Sequence, residues 1–289
     1  ANTFIFAFGG LTLIIVMSAI SALLWHWRVI PVLVNALAII FKKPLDVGGP
    51  VGLSATANIF LGQVEAPLLV RPYLAAMSKN ELLILMTVGM STIAGSVMVI
   101  YTTMLAPIYG LGLIGHFLTA SLISVPAGIM YANMMIPSDT KTDFPADDSS
   151  KMYSSTMDAL TRGTQSGIDI FLNVAAMLIV VMALVFLVNA TLDVFPDFQG
   201  QPLTMERIAG WIFAPLAWCM GIPWQESQAA GELLGVKTIL NEFVAYIYLA
   251  DTSTYVLSEK SSLIMLYALC GFANFRKLSS WYLHIRTYN

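Results

Sequence analysis

Along the chain, long apolar runs alternate with short polar borders. Thr3–Trp27, Leu82–Ala106 and Ile170–Leu192 contain no Asp, Glu, Lys or Arg, and Ile108–Ile136 contains only His116 as an ionisable side chain besides tyrosine. Each run exceeds the roughly 20 residues that cross about 30 Å of hydrocarbon, which predicts four spanning helices. The first ends in Trp25-His26-Trp27-Arg28, aromatics and then a cation, the pattern of a membrane–water border. Arg28–Pro44 carries Val29, Ile30, Val32, Leu33, Leu37, Ile40 and Phe41 before Lys42-Lys43; it is too short to span again and predicts an interfacial helix. Leu82–Ala106 and Gly110–Ile136 read as two continuous spans joined by a turn at Pro107, and Ile168–Leu192 as another.

Two segments break this regularity. Val51–Leu61 is eleven residues of apolar and small side chains, about 16 Å of helix, enough to reach only mid-membrane. Gly62-Gln63-Val64-Glu65-Ala66-Pro67 interrupts it there, and Pro67–Met77 returns over a similar length. Proline suits the first turn of a new helix, where its missing N–H is not needed. The stretch therefore reads as a re-entrant helical hairpin rather than one kinked span, since irregular backbone at membrane depth survives only in a cavity or inside protein. The pattern recurs as Ile208–Met220, a Gly221-Ile222-Pro223-Trp224-Gln225-Glu226 break, and Ser227–Leu240. Paired broken segments point to a transporter built from repeats, with its site between the two tips. Ser138–Gly163 and Asp193–Arg207 are polar loops, the former with a short surface helix near Ser155–Thr164; Leu263–Phe275 starts a span that Arg276-Lys277 cuts short.

Composition agrees. Of 289 residues 57% are hydrophobic and 11% charged, with mean hydropathy +0.76, far from the roughly 25% charge of soluble domains. The predicted fold is an all-α integral membrane protein with spanning helices, two inverted re-entrant helical hairpins and interfacial helices. Its divisions are a scaffold and interfacial helix over 1–44, the first hairpin and following helix over 45–107, scaffold helices with a polar loop at 138–163 over 108–207, the second hairpin and a started helix over 208–275, and an atypical tail over 276–289. Arg28, Lys42, Lys43, Arg71, Lys79, Lys141, Lys151 and Arg162 lie on one side and only Arg207, Lys237 and Lys260 on the other, which orients the first hairpin from the cytoplasm and the second from outside. Net charge of −3 gives no argument for nucleic acid. Cys219 and Cys270, in apolar context, read as inert thiols. The first run is too long for a signal-peptide core and lacks a cleavage site, so no leader is expected.

Half-helix N-termini at the tips direct N–H groups and partial positive charge to the midplane. Gln63 offers donors and an acceptor that complement a base or amide edge. Glu65 and Glu226 suit vicinal hydroxyls, bound water or a carried proton, and Asn58, one turn before Gly62, offers a carbonyl oxygen to a hard cation. Glu242 reads as a carboxylate capping or pairing near a helix end. No hydrolytic triad, zinc spacing or phosphate loop is present, so the chain is read as a non-enzyme without organic cofactor.

Five motifs carry a resemblance. Asn58-Ile59-Phe60-Leu61-Gly62-Gln63-Val64-Glu65-Ala66-Pro67-Leu68-Leu69-Val70-Arg71-Pro72-Tyr73-Leu74, Met90–Val97, Trp224–Ser227, Asn241-Glu242-Phe243-Val244-Ala245-Tyr246 and Tyr267–Phe275 follow one another as in the concentrative nucleoside transporter family. The resemblance implies a homotrimeric, multi-pass protein of the cytoplasmic membrane that imports nucleosides with Na⁺ or H⁺ by alternating access. It implies Gly62, Gln63, Glu65 and Val97 at the nucleobase, Glu226 and Asn274 at the ribose, Phe272 lining the pocket, and Asn58, Leu61, Thr92 and Ile93 around Na⁺. Three departures stand out: Val64 replaces the family's Thr or Ser, Arg276-Lys277 replaces Gly-Ser, and the family's first helices and last two are not in the sequence. The other expectation is accordingly a non-transporting remnant or a subunit that co-assembles with intact relatives.

Overall fold

A computed structural model describes residues 12–34, 36–37, 47–63, 65–110, 112–138, 142, 153–197, 200–251 and 254–271. Val64, the tail over 276–289, most of the loop at 138–152 and the end of the interfacial segment lie outside the described residues.

The described chain is helical. Helix α1, Thr12–His26, is followed by a turn at Arg28, whose φ of 62° leads the chain into a helical stretch over 29–34. Helix α2, Gly49–Ala57, starts at Gly48 with Pro50 in its first turn, where proline costs no hydrogen bond. After the break, the short α3, Glu65–Leu68, leads into a 3₁₀ turn over Arg71–Ala76. Helices α4, Lys79–Ser91, and α5, Gly95–Tyr109, follow, then α6, Leu113–Met135. The second half contains α7, Thr156–Leu192; α8, Met205–Cys219; α9, Trp224–Ile239; α10, Glu242–Ala250; and α11, Glu259–Leu269.

The halves repeat one order of elements. A long helix (α1 or α7) and a second helical stretch lead to a Gly-x-Pro start, Gly48–Pro50 or Gly221–Pro223. A helix follows (α2 or α9), then a break, a shorter helix opening on a glutamate (Glu65 or Glu242), and a serine-capped helix. Ser78 accepts from the Glu81 N–H to cap α4, and Ser258 accepts from the Ser261 N–H to cap α11. That helix breaks at Thr92–Ala94 in the first half and reaches Cys270–Gly271 in the second.

Small residues set the close contacts. Helices α1 and α7 cross at Gly163 and Gly167, where an added Cβ would lie 2.6 Å from Ala22 Cβ and 2.6 Å from Ile15 Cα. Helices α8 and α9 pack backbone to backbone, since a Cβ on Gly235 would fall 2.2 Å from Ala209 Cβ. Without a hydrophobic drive between helices in lipid, such close approach supplies much of the attraction. One apolar core gathers α5, α6, α9, α10 and α11 around Tyr101, Phe117 and Tyr246; a second gathers α2, α4 and α6 around Val51, Ile59 and Val88. The outer face of α7 is apolar and bare, with Phe186 75% and Ile179 72% exposed, as expected of a surface against hydrocarbon.

Three boundaries differ from the sequence reading. Leu82–Ala106 is not one span, because Thr92 leaves the helix at φ −108°, ψ 167° and α5 restarts at Gly95. Pro107 lies inside α5, and the turn falls at Gly110, whose φ of 84° suits glycine. The surface helix and span expected around 155–192 are one helix of 37 residues, capped where Ser155 accepts from the Asp158 N–H. Gly163 and Gly167 do not break it, because α1 packs on them.

A buried carboxylate ties the base of the first half together. Glu81 accepts from the Ser78 N–H at 2.8 Å, from the Thr142 N–H at 2.8 Å and from the Thr142 hydroxyl at 2.7 Å. The start of α4 is thereby joined to the chain after α6.

Candidate functional site

The site is assembled from broken helices. Helix α2 ends in Asn58, which caps it in helical conformation. Asn58 Nδ2 donates to Val88 O at 3.0 Å and to Thr92 Oγ1 at 2.7 Å, and the Thr92 hydroxyl donates to Val88 O at 3.1 Å. Asn58 and Thr92 are both buried, and Asn58 Oδ1 has no hydrogen-bond partner. A narrow cleft beside it is lined by Ser54, Ala66, Pro67 and Val88. Two residues on, Phe60 O accepts from the Gly95 N–H at 3.2 Å, and a Cβ at position 95 would sit 2.8 Å from that oxygen. The break after α2 is thus bonded directly to the break between α4 and α5.

Of the residues predicted in the first half, Asn58 and Thr92 are bonded to each other here. Leu61 and Ile93 are buried beside Asn58 and Thr92, and Val97 lies half-buried in the first turn of α5. Gly62 O accepts from the Ala66 N–H at 3.1 Å, closing the turn into α3. Gln63 Oε1 is buried and lacks a partner. Two orphaned amide oxygens in one tip are unusual, because buried polar atoms are almost always paired and each unpaired one costs about 1–3 kcal/mol. Oxygen donors of this kind suit a hard cation such as Na⁺. Among the described residues no cluster of His, Cys, Asp or Glu is gathered for a softer metal. Glu65 opens α3; its side chain, Phe272 and Asn274 lie outside the described residues.

The second half brings a different set to this place. Gly271, at the end of α11, abuts the end of α4: a Cβ there would lie 3.1 Å from Met90 O and 3.5 Å from Lys237 Nζ. Lys237 Nζ donates to Ala268 O at 2.6 Å. Beside it, buried Glu242 starts α10 and meets the Tyr101 hydroxyl at a long 3.5 Å. The Tyr246 hydroxyl donates to Leu266 O at 2.9 Å, and its ring packs on Tyr101 with centroids 4.5 Å apart.

Glu226 is not brought to this centre. Its Oε2 accepts from the Ser258 N–H at 3.1 Å and the Ser258 hydroxyl at 2.9 Å, joining the first turn of α9 to the first turn of α11. Eleven residues separate it from Lys237 on one helix, about 16 Å. The physical reason is that α9 and α11 run side by side, start against start and end against end, so a residue at the start of α9 cannot reach the break. The turn that faces the break joins α9 to α10 at Leu240–Asn241, with no Gly-Pro signal. Lys237 and Glu242, two charges five residues apart in an apolar segment, were the available clue.

The family model described as Na⁺ dependent nucleoside transporter C-terminus matches residues 116–285, and one described as nucleoside recognition matches 7–108. The nucleoside permease NupC of Helicobacter pylori is 35% identical over 276 residues, which cover 94% of this chain and 65% of the permease. Human solute carrier family 28 member 3 is 34% identical over 94% of this chain and 41% of its own length. The solved structure of CNTnw in an inward-facing substrate-bound state superposes with a TM-score of 0.88 at 33% identity, covering 99% of this chain and 67% of that one. The chain thus spans about two thirds or less of these relatives. They are transport proteins rather than enzymes. On matched length, motif order and superposed fold, the chain belongs to the concentrative nucleoside transporter family.

Proposed function

We propose that this chain carries nucleosides across the membrane together with Na⁺, by alternating access of the unit that bears both hairpins. The single observation that carries the reading is the pair of orphaned buried oxygens, Asn58 Oδ1 and Gln63 Oε1, on either side of Gly62. One suits a cation and the other a base edge, and binding both in one tip links the two. In this reading Asn58 and Thr92 give side-chain oxygens and Leu61 and Ile93 give carbonyls to the ion. Gly62, Gln63, Glu65 and Val97 face the nucleobase, while Phe272, Asn274 and Glu242, rather than Glu226, face the sugar. A buried carboxylate beside the break supports Glu242 in that role. The bare apolar faces of α6 and α7 support a protein embedded in a membrane; the cytoplasmic membrane and a homotrimer follow from the family resemblance alone.

The test is uptake of labelled uridine and adenosine by this chain in a host lacking nucleoside transport, with choline replacing Na⁺ at two pH values. Saturable uptake that needs Na⁺ and falls at least about tenfold in Gln63→Ala is expected. Uptake driven by pH alone would assign the coupling to H⁺. Uptake unchanged in Gln63→Ala would remove Gln63 from the site.

A further inference from the structure

We infer that the Lys237 ammonium is a tethered cation, filling in the second half the place that an exchangeable monovalent cation takes beside Asn58 and Thr92 in the first. The inference rests on the cation-coupled reading above and deepens it: the second half of the site needs no ion of its own.

The repeat supplies the argument. In the first half, a polar side chain at the end of the hairpin arm α2 reaches a carbonyl in the last turn of the serine-capped helix α4: Asn58 Nδ2 to Val88 O, 3.0 Å. In the second half, a polar side chain near the end of α9 reaches a carbonyl in the last turn of the serine-capped helix α11: Lys237 Nζ to Ala268 O, 2.6 Å. The two contacts occupy matching places but differ in chemistry. Asn58 is neutral and keeps a buried oxygen unpaired, whereas Lys237 brings a positive charge of its own.

The surroundings favour a cation at that place. The carbonyls ending a helix carry about half an elementary negative charge between them, which holds a cation beside α11. Glu242, buried at the start of α10 five residues on, is an electrostatic partner of the ammonium. Gly271 lies against both helix ends: a Cβ there would press Met90 O at 3.1 Å and stand in ordinary contact with Nζ at 3.5 Å. The fixed charge therefore sits where the end of α11 meets the end of α4. Ionisable side chains at membrane depth are costly and are kept where they pair with backbone carbonyls or opposite charge at working sites. A plain helix cap would use the same hydrogen bond. What separates the two roles is whether a free cation can take the ammonium's place.

The experiment uses the full chain purified in detergent. Lys237→Ala removes a propylammonium-sized fragment, so 1-propanol is the neutral control for rescue by propylammonium. Thermal unfolding and uridine affinity are read at fixed Na⁺. The expected result is a lower unfolding temperature and a loss of affinity of about tenfold or more. Propylammonium restores both towards wild type, 1-propanol restores neither, and neither additive changes the wild type. In Lys237→Met, which keeps the apolar stem, uridine binding is expected to depend on Na⁺ more steeply, with a Hill coefficient rising from about 1 towards 2 as a second ion enters. Equal rescue by propanol, no rescue by propylammonium, or a Lys237→Met variant with wild-type affinity and Na⁺ dependence overturns the inference. If the wild type binds no uridine, the transport reading fails instead, and the thermal rescue alone still decides the role of Lys237.

Discussion

Gly95→Ala should loosen the tip-to-break bond without touching any group that would meet substrate. A methyl at this position lies 2.8 Å from Phe60 O, so the tip must retreat by several tenths of an ångström. The Gly95 N–H bond to Phe60 O, 3.2 Å in the native arrangement, is then lost or badly bent. Loss of one such bond costs about 1 kcal/mol, and overpacking adds about 1–3 kcal/mol. Against this, replacing glycine by alanine in a helix gains about 0.5–1 kcal/mol through propensity and a less free unfolded chain. The net cost is about 1–3 kcal/mol, or roughly 5- to 150-fold in any equilibrium that needs the tip seated on the break. The assay is uridine affinity by calorimetry on the purified chain, with Gly115→Ala as control because nothing lies within 4 Å of an added Cβ there. Gly95→Ala should weaken binding by at least about fivefold while Gly115→Ala leaves it unchanged. Equal affinity in both variants would refute the claim that the Phe60–Gly95 contact holds the site together.

Gly235→Ala places a methyl 2.2 Å from Ala209 Cβ and should cost about 1–3 kcal/mol by forcing α8 from α9; a thermal melt as high as wild type would contradict that packing. Glu81→Gln puts an N–H₂ where three donors now converge on two carboxylate oxygens. It should cost about 1–3 kcal/mol and lower the unfolding temperature in detergent by about 5 °C. No shift would mean that the Thr142 link adds nothing to stability.

The first break was legible because its signals coincide in sequence and in space. Gly62, Gln63 and Glu65 interrupt an apolar run, and the structure puts the break where they are. Thr92–Ala94 was hidden, because Met90–Val97 contains neither proline nor charge and the break is held from outside, by Phe60 O on the Gly95 N–H and by Asn58 on Thr92 Oγ1. Such tertiary bonds replace lost helical ones without leaving a pattern in the run itself. The opposite error occurred at Pro107, a helix breaker by local rules that α5 accommodates near its end. Glu226 misled for a third reason: a Gly-Pro turn beside a carboxylate occurs at Gly221–Glu226, but it is the outer turn of the second half. The inner turn at Leu240–Asn241 is made by an Asn cap, with Asn241 Oδ1 accepting from the Val244 N–H at 2.8 Å. Only the packing of α9 along α11 tells the two turns apart.

The central claim is that a cation beside Asn58 and Thr92 and a nucleoside beside Gln63 bind as one linked event. It is tested most directly by uridine affinity as a function of Na⁺ concentration in the wild type, Asn58→Ala and Thr92→Val. The account predicts that Na⁺ raises wild-type affinity by about 1–3 kcal/mol of coupling, roughly 5- to 150-fold, and that both variants lose most of that gain while still melting cooperatively. Uridine binding that is indifferent to Na⁺ in the wild type, or that keeps its full Na⁺ dependence in both variants, would contradict it.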